Sequence, residues 1–347
     1  MSDKKEKKVT IRTVAEDAGV SVAAVSKVLR NAYGVSDALR EKVEESIAKL
    51  GYRPNTAARA MRGRSYTVGI LMIDIGNPFL PPLIQEIAAN LNALGYKTMM
   101  ASGESDLGLE TSLIESMIDF QLDGLILISP RMPGELLAKY AVQIPILVIG
   151  HHERSARTFD TVNSNEELGS SLATQELIDA GHTKIAMLSL ADVAGSLQPE
   201  KGAEHRPTWG REEGYAATMR AAGLAPEILR IRNHYATGFV DIRIAELMTD
   251  QNRPTAFFCW SDLTAIPLLE ECYRRGLRVP QDVAVTGYDN NTIASLDIVG
   301  LTSVDQNPSV IAKTSVKMLL SRIDGRTVAE HVLIDPELVR RRSSGPR

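Results

Sequence analysis

Two hydrophobic rhythms divide this chain. Up to residue 62, apolar positions recur at helical spacing. Ile11, Val14, Ala15 and Ala18 fall on one face of a helix that Thr10 can cap, and Gly19 follows where a sharp turn needs positive φ. Ser21 caps a second helix, Val22 to Arg30, with Val25, Val28 and Leu29 inward. Ser36 caps a third, carrying Leu39, Val43, Ile47 and Leu50 on one side, and Gly51 ends it. Two short helices on a tight glycine turn, braced by a third, predict a helix-turn-helix. Tyr52-Arg53-Pro54 cannot be helical throughout, because proline biases its predecessor to extended backbone. Asn55 can cap one more helix, Thr56 to Arg62, too short to be stable alone in water.

From Thr67 the period changes to short apolar runs alternating with amphipathic stretches. Strands are predicted at Thr67–Ile73, Lys97–Ser102, Gly124–Ser129 and Ile146–Gly150, separated by helices Phe79–Leu94, Leu109–Gln121 and Gly134–Val142. A second series begins near Thr161, with strands Ile185–Leu190, Ile228–Arg232, Ala256–Cys259 and Val283–Gly287. Its helices are Glu166–Ala180, Trp209–Ala222, Gly238–Thr249 and Asp262–Arg275. Repeated strand–helix units imply doubly wound parallel sheets. Residues 191–207 have no period and read as an exposed loop near a cleft.

Charge sharpens this division. Residues 1–64 carry fourteen Lys/Arg against eight Asp/Glu, net +6, whereas the whole chain is −4, leaving −10 for the remainder. A basic head on an acidic body is the footprint of a nucleic-acid module. Two cysteines, Cys259 and Cys272, are too few for a disulfide framework and suit a reduced core. No apolar run reaches membrane-span length, and no apolar segment follows the charged first residues as in a signal peptide. A cytoplasmic, non-membrane protein is expected.

The runs AEDAGVSVAAVSKVL (15–29), VSDALREKV (35–43) and LGYRPNTAARAM (50–61) closely resemble the start of LacI/GalR-type bacterial transcription regulators. The resemblance extends over nearly the whole chain. It implies a DNA-binding head, 1–62, with a hinge helix at 55–62, and an effector-binding core, 63–345, like the periplasmic sugar-binding proteins. The core would hold two doubly wound subdomains, one of about 66–162 and 294–325, the other of about 163–293 and 326–345. Chain crossings are expected near Thr161–Ser164, Asn290–Ser295 and Gly325–Val328, with helix Pro308–Asp324 in the first subdomain and strand Val332–Ile334 in the second.

Val22, Ala23 and Lys27 open the second helix, where base edges are read. The DNA-contacting set implied by the resemblance also takes in Thr10, Ser21, Ser26, Arg30, Asn55, Ala58, Arg59 and Met61, the last as a minor-groove wedge where the family usually has Leu. In the core, ligands bind at the carboxyl ends of strands. There the resemblance implies Asp74, Phe79, Arg211, Trp260, Ser261, Asp262, Asp289 and Gln306 as effector ligands. A guanidinium fork suits paired hydroxyls or a carboxylate, an aspartate can accept from two hydroxyls, and Phe79 offers a ring to a sugar face. Asp262 could equally be only a helix cap.

Neither a Walker A loop, a Gly-rich dinucleotide loop nor a Cys-x-x-Cys is present. His151-His152-Glu153 lacks metalloprotease spacing and reads as a loop pair. The expectation is therefore a non-enzymatic homodimeric regulator, a repressor by family default, without cofactor or metal, binding operator DNA and a small effector such as a sugar or sugar derivative. The alternative is a transport-type sugar-binding protein without DNA function.

Overall fold

The computed structural model describes residues 9–29, 33–53, 63–191, 205–231, 242–250 and 252–345. It divides into two units, 1–65 and 66–347.

In the first unit, α1 (Ile11–Asp17), α2 (Val22–Leu29) and α3 (Asp37–Leu50) enclose a small core of Val14, Ala15, Ala18, Val25, Val28 and Val43. The Thr10 hydroxyl accepts from the Thr13 amide and Thr13 reciprocates, a capping box. Ser21 Oγ accepts from the Ala24 amide at 3.1 Å, and Ser36 caps α3. Gly19 turns the chain between α1 and α2 with φ +62, a conformation that a Cβ would penalise. Ser46 Oγ and Lys49 Nζ, both on α3, donate to Asp17 at the end of α1 at 2.8 and 2.7 Å.

The second unit holds two six-stranded sheets among the described residues. The elements in chain order are β1 (Thr67–Met72), α4 (Leu80–Ala93), β2 (Lys97–Ser102), α5 (Leu107–Asp119), β3 (Gly124–Ile128), α6 (Gly134–Ala141), β4 (Ile146–Ile149) and β5 (Asp160–Ser164). After these come α7 (Glu166–Asp179), β6 (Ile185–Leu190), α8 (Pro207–Ala221), β7 (Glu227–Ile231), α9 (Ile242–Leu247), β8 (Ala256–Cys259), α10 (Asp262–Arg274) and β9 (Ala284–Tyr288). The chain then runs through β10 (Thr302–Asp305), α11 (Pro308–Ile323), β11 (His331–Ile334) and β12 (Glu337–Val339). The first sheet has the order β11-β5-β4-β3-β1-β2, all parallel. The second has the order β12-β10-β9-β8-β6-β7, parallel except for β12 against β10. Helices cover both faces of each, which is why central strands such as β1, β3 and β4 are buried along their whole length.

Two strands lie in the layer opposite to the one expected from sequence. β10 pairs with β9 in the second sheet, and β11 pairs with β5 in the first. The second and third crossings are therefore at Gln306–Asn307 and Asp335–Pro336, beyond Asn290–Ser295 and Gly325–Val328. The reason is pairing: Thr302–Val304 runs in register beside Thr286–Tyr288, so the chain leaves the sheet only after that strand is spent. The first crossing is at Asn165, whose side chain caps α7 and donates to Asp335 Oδ1 at 3.1 Å. Asn307 Nδ2 donates to the Asp335 carbonyl at 2.9 Å, so the three crossings are stitched side by side. After the second crossing α11 packs Ile311, Val316 and Leu319 into the first layer against Leu83 and Ile87 of α4.

Candidate functional site

On the head, α2 turns Val25 and Val28 inward and leaves Ser21, Val22, Ala23 and Lys27 exposed, with Ser26 half-buried beside them. Thr10 is exposed at the start of α1. The first turn of α2 thus offers two small apolar side chains, and Lys27 stands one turn further along. Such a face can meet a thymine methyl and a guanine edge or phosphate. Arg30, Asn55, Ala58, Arg59 and Met61, and with them the expected hinge helix, lie outside the described residues. So do the N-terminal residues 1–8 and most of the 191–207 loop.

In the second unit one buried polar cluster stands out. Arg211, on the first half of α8, is 3% exposed, and no other arginine or lysine is buried among the described residues. Its Nε donates to Glu166 Oε2 at 2.7 Å and its Nη1 to the Trp260 carbonyl at 2.5 Å. Nη2 faces Asp289 Oδ1 at 3.7 Å, and that oxygen accepts from Gln306 Nε2 at 2.7 Å. The guanidinium carbon lies 3.6 Å from the Tyr288 ring centroid and 4.6 Å from that of Trp260. These residues start α7 (Glu166), end β8 and β9 (Trp260, Tyr288, Asp289) and end β10 (Gln306), so the carboxyl edge of the second sheet builds the cluster. Asp289 holds φ +100 and Asn290 +47, a bend that aims the Asp289 carboxylate back at Arg211.

Electrostatics follow from burial. Desolvation pushes the Asp289 carboxyl up to about 7, against the pull of Arg211 and Gln306. Burial works against the Arg211 charge, yet Glu166 and Asp289 raise its pKa above the ordinary value. His152, following β4 in the first layer, has Nε2 4.0 Å from Glu166 Oε1, and its amide donates to the His205 carbonyl at 2.7 Å. Burial lowers its pKa, with Glu166 opposing. His152 Nε2 and the indole nitrogen of Trp260 are buried with no hydrogen-bond partner among the described residues. Buried polar nitrogens left open beside a charged cluster are what a polar ligand would satisfy.

The structure brings Arg211, Trp260, Asp289 and Gln306 together. Asp74 and Phe79 sit in the β1–α4 loop of the first layer: Asp74 Oδ1 accepts from the Gly76 amide at 2.8 Å, and Phe79 packs partly against the first core. Among the described residues no hydrogen bond or ion pair joins either to Arg211. Asp262 and Ser261 depart from expectation. Ser261 is the cap of α10, accepting from the Thr264 amide at 3.3 Å. Asp262 is fully buried, accepting from the Asn291 amide at 2.8 Å and from Ser303 Oγ at 2.6 Å, while Ser303 Oγ accepts from the Asn290 amide at 3.0 Å. Asp262 therefore anchors the Asp289–Asn291 bend from behind rather than facing a ligand, and its carboxyl is pushed up to about 8 by burial and then by the Asp289 charge. Glu166 and Tyr288 are the members that sequence reasoning missed. His151-His152-Glu153 is a loop, as expected, in which His151 Nε2 meets Glu153 Oε2 at 3.1 Å. No metal-holding group of His, Cys, Asp or Glu and no membrane-crossing helix occur among the described residues.

Known proteins match along nearly the whole chain. Residues 10–55 match the model of bacterial regulatory proteins of the lacI family, and residues 174–344 that of the periplasmic binding protein-like domain. The ribose operon repressor of Escherichia coli strain K12 is 31% identical over 96% of this chain and 99% of its own. The HTH-type transcriptional repressor PurR of Aliivibrio salmonicida is 28% identical over 96% of this chain and 98% of its own. In fold, the chain is similar to the lac repressor dimer bound to operator and the anti-inducer ONPF, with TM-score 0.83, 24% identity and coverage of 98% of this chain and 100% of that one.

Proposed function

The chain belongs to the lacI family of bacterial regulatory proteins, and on that premise we propose a homodimeric transcriptional repressor whose operator affinity is set by a small polar effector. Residues 1–62 are the DNA-binding head, and the protein acts in the cytoplasm without catalysis. Thr10, Ser21 and Ser26 hold or approach phosphates, while Val22, Ala23 and Lys27 meet base edges. The effector lies on Arg211, Trp260, Asp289 and Gln306, with Phe79 and Asp74 approaching from the first layer. A sugar or sugar derivative fits these groups. The observation that carries this reading is the buried Gln306–Asp289–Arg211–Glu166 chain, flanked by two nitrogens without partners among the described residues. Since three strands of chain cross between the layers, a ligand that favours one arrangement of the two biases the whole core, as two-state control requires.

The test is a gel-shift on the protein's own promoter, at two salt concentrations, with and without a panel of sugars. Operator binding that weakens steeply with salt and responds to one sugar is expected. Binding indifferent to every small molecule in the panel would remove the effector half of the reading. No binding at low salt would remove the rest.

A further inference from the structure

We propose that Glu166 is a specificity-determining residue that makes the site select an uncharged, hydroxyl-bearing ligand and reject phosphates and carboxylates. This deepens the reading of the cluster as the effector site and rests on it. A buried arginine with a free fork is an anion receptor. In Arg211 the fork is partly taken and its charge is already matched: Glu166 takes Nε, the Trp260 carbonyl takes one N–H of Nη1, the Asp289 carboxyl faces Nη2 at 3.7 Å, and Tyr288 and Trp260 cover the guanidinium from the sides. Glu166 is itself 4% exposed and Asp289 8%, so two carboxyls share one buried cation. An incoming anion would lose its hydration and meet a carboxylate with no uncompensated positive charge to offset it. An uncharged polyol can instead give hydroxyl protons to the carboxylates and accept from the open indole N–H of Trp260. Glu166 holds this position because it opens α7 immediately after the crossing at Asn165, and Gly210 lets α8 approach closely: a Cβ there would come within 2.8 Å of Glu166 Cβ.

The experiment uses inorganic sulfate as the probe, titrated against the full-length protein at constant ionic strength and read by tryptophan fluorescence and thermal midpoint. Wild type should show no saturable response beyond that to chloride. Glu166→Gln keeps a neutral partner for Arg211 and should bind sulfate at least about tenfold more tightly. Glu166→Gln combined with Arg211→Ala should lose that binding. Glu166→Ser is the parallel variant should the glutamine form fold poorly. Equal sulfate binding by wild type and both single variants, or a gain that survives loss of Arg211, would overturn the proposal. The outcome is separable from that of the gel-shift: a protein whose operator binding ignores every sugar sinks the effector reading whatever sulfate does.

Discussion

Two buried charge clusters in the core have opposite arithmetic. In the first layer one acid, Asp160, is held by two arginines of and just beyond α11: Oδ1 accepts from Arg322 Nη1 at 3.1 Å, Arg326 Nη1 at 3.2 Å and the Glu330 amide at 3.0 Å, and Oδ2 accepts from Arg326 Nη2. In the second layer one base, Arg211, is held by two acids. The first cluster ties α11 to β5 and so serves the fold. The second stands at strand ends, with open nitrogens beside it. The chemical difference is that a carboxyl can neutralise itself by taking a proton at accessible pH and an arginine cannot. A buried cluster with spare acids can adapt to a ligand, whereas one with spare bases needs its single acid.

The largest expected effect comes from breaking the first cluster. Asp160→Ala leaves Arg322 without its acid and Arg326 with only the exposed Glu330 at 3.7 Å, and should cost about 3–5 kcal/mol in chemical denaturation. Effector response should survive wherever the variant folds. Arg211→Ala should cost less stability, because the Asp289 carboxyl, already raised to about 7, can take a proton, yet should abolish the effector response. If Arg211→Ala proves the more destabilising of the two, the contrast between the clusters fails.

A smaller effect sharpens the second cluster through pH. The Asp262 carboxyl is raised from 3.8 to about 8 by burial. Between those values the folded chain holds a proton that the unfolded chain has released, so this group lowers stability as pH rises through the window and adds no further change above it. Asp262→Asn can accept from the Asn291 amide through its one carbonyl oxygen and donate to Ser303 Oγ through its amide nitrogen, and it cannot titrate. The thermal midpoint of wild type should therefore fall relative to that of Asp262→Asn between pH 5 and about 8. Parallel midpoint curves would mean that Asp262 ionises normally where it sits.

Much of this is legible in the sequence. Strands at Ile185–Leu190 and Ala256–Cys259 have the bounds that their largely apolar runs suggest, since a strand buried on both faces is mostly apolar, and Lys97–Ser102 has its expected bounds although, as an edge strand, it is exposed or half-buried along its length. Arg211 and Asp289 are visible through the family resemblance, and Asp289 also because it follows a predicted strand. Sheet membership of β10 and β11 was not visible: a short run states that it will pair but not with which edge. Glu166 was hidden for a similar reason. Next to Asn165 it looks like an ordinary acid in the first turn of a helix, and its partner Arg211 is 45 residues away. Asp262 was misread because a cap and a buried anchor share one local pattern, and only the approach of Asn291 and Ser303 separates them.

The smallest expected effect lies in the head, where a third cluster supplies the exposed limit of the comparison. Asp17 accepts from Ser46 Oγ, which is 3% exposed, and from Lys49 Nζ, whose side chain is 69% exposed. The hydrogen bonds from Lys49 and Ser46 hold the Asp17 carboxyl below its ordinary value, so its contribution is present above 3.8 and is lost as pH falls through the lowered one. The two donors differ in surroundings. Water replaces Lys49 readily, because an exposed ion pair gains little over its hydrated ions. Ser46 also reaches the Val14 carbonyl at 3.3 Å from within the α1–α3 contact, where water cannot follow. Ser46→Ala should therefore cost about 1 kcal/mol, and Lys49→Ala should leave the midpoint unchanged within error. Hydrogen exchange at the α1 and α3 amides reads both in the intact protein. A larger loss of protection in Lys49→Ala than in Ser46→Ala would show that surface charge rather than the buried hydroxyl joins these helices, and that exposure does not rank the three clusters.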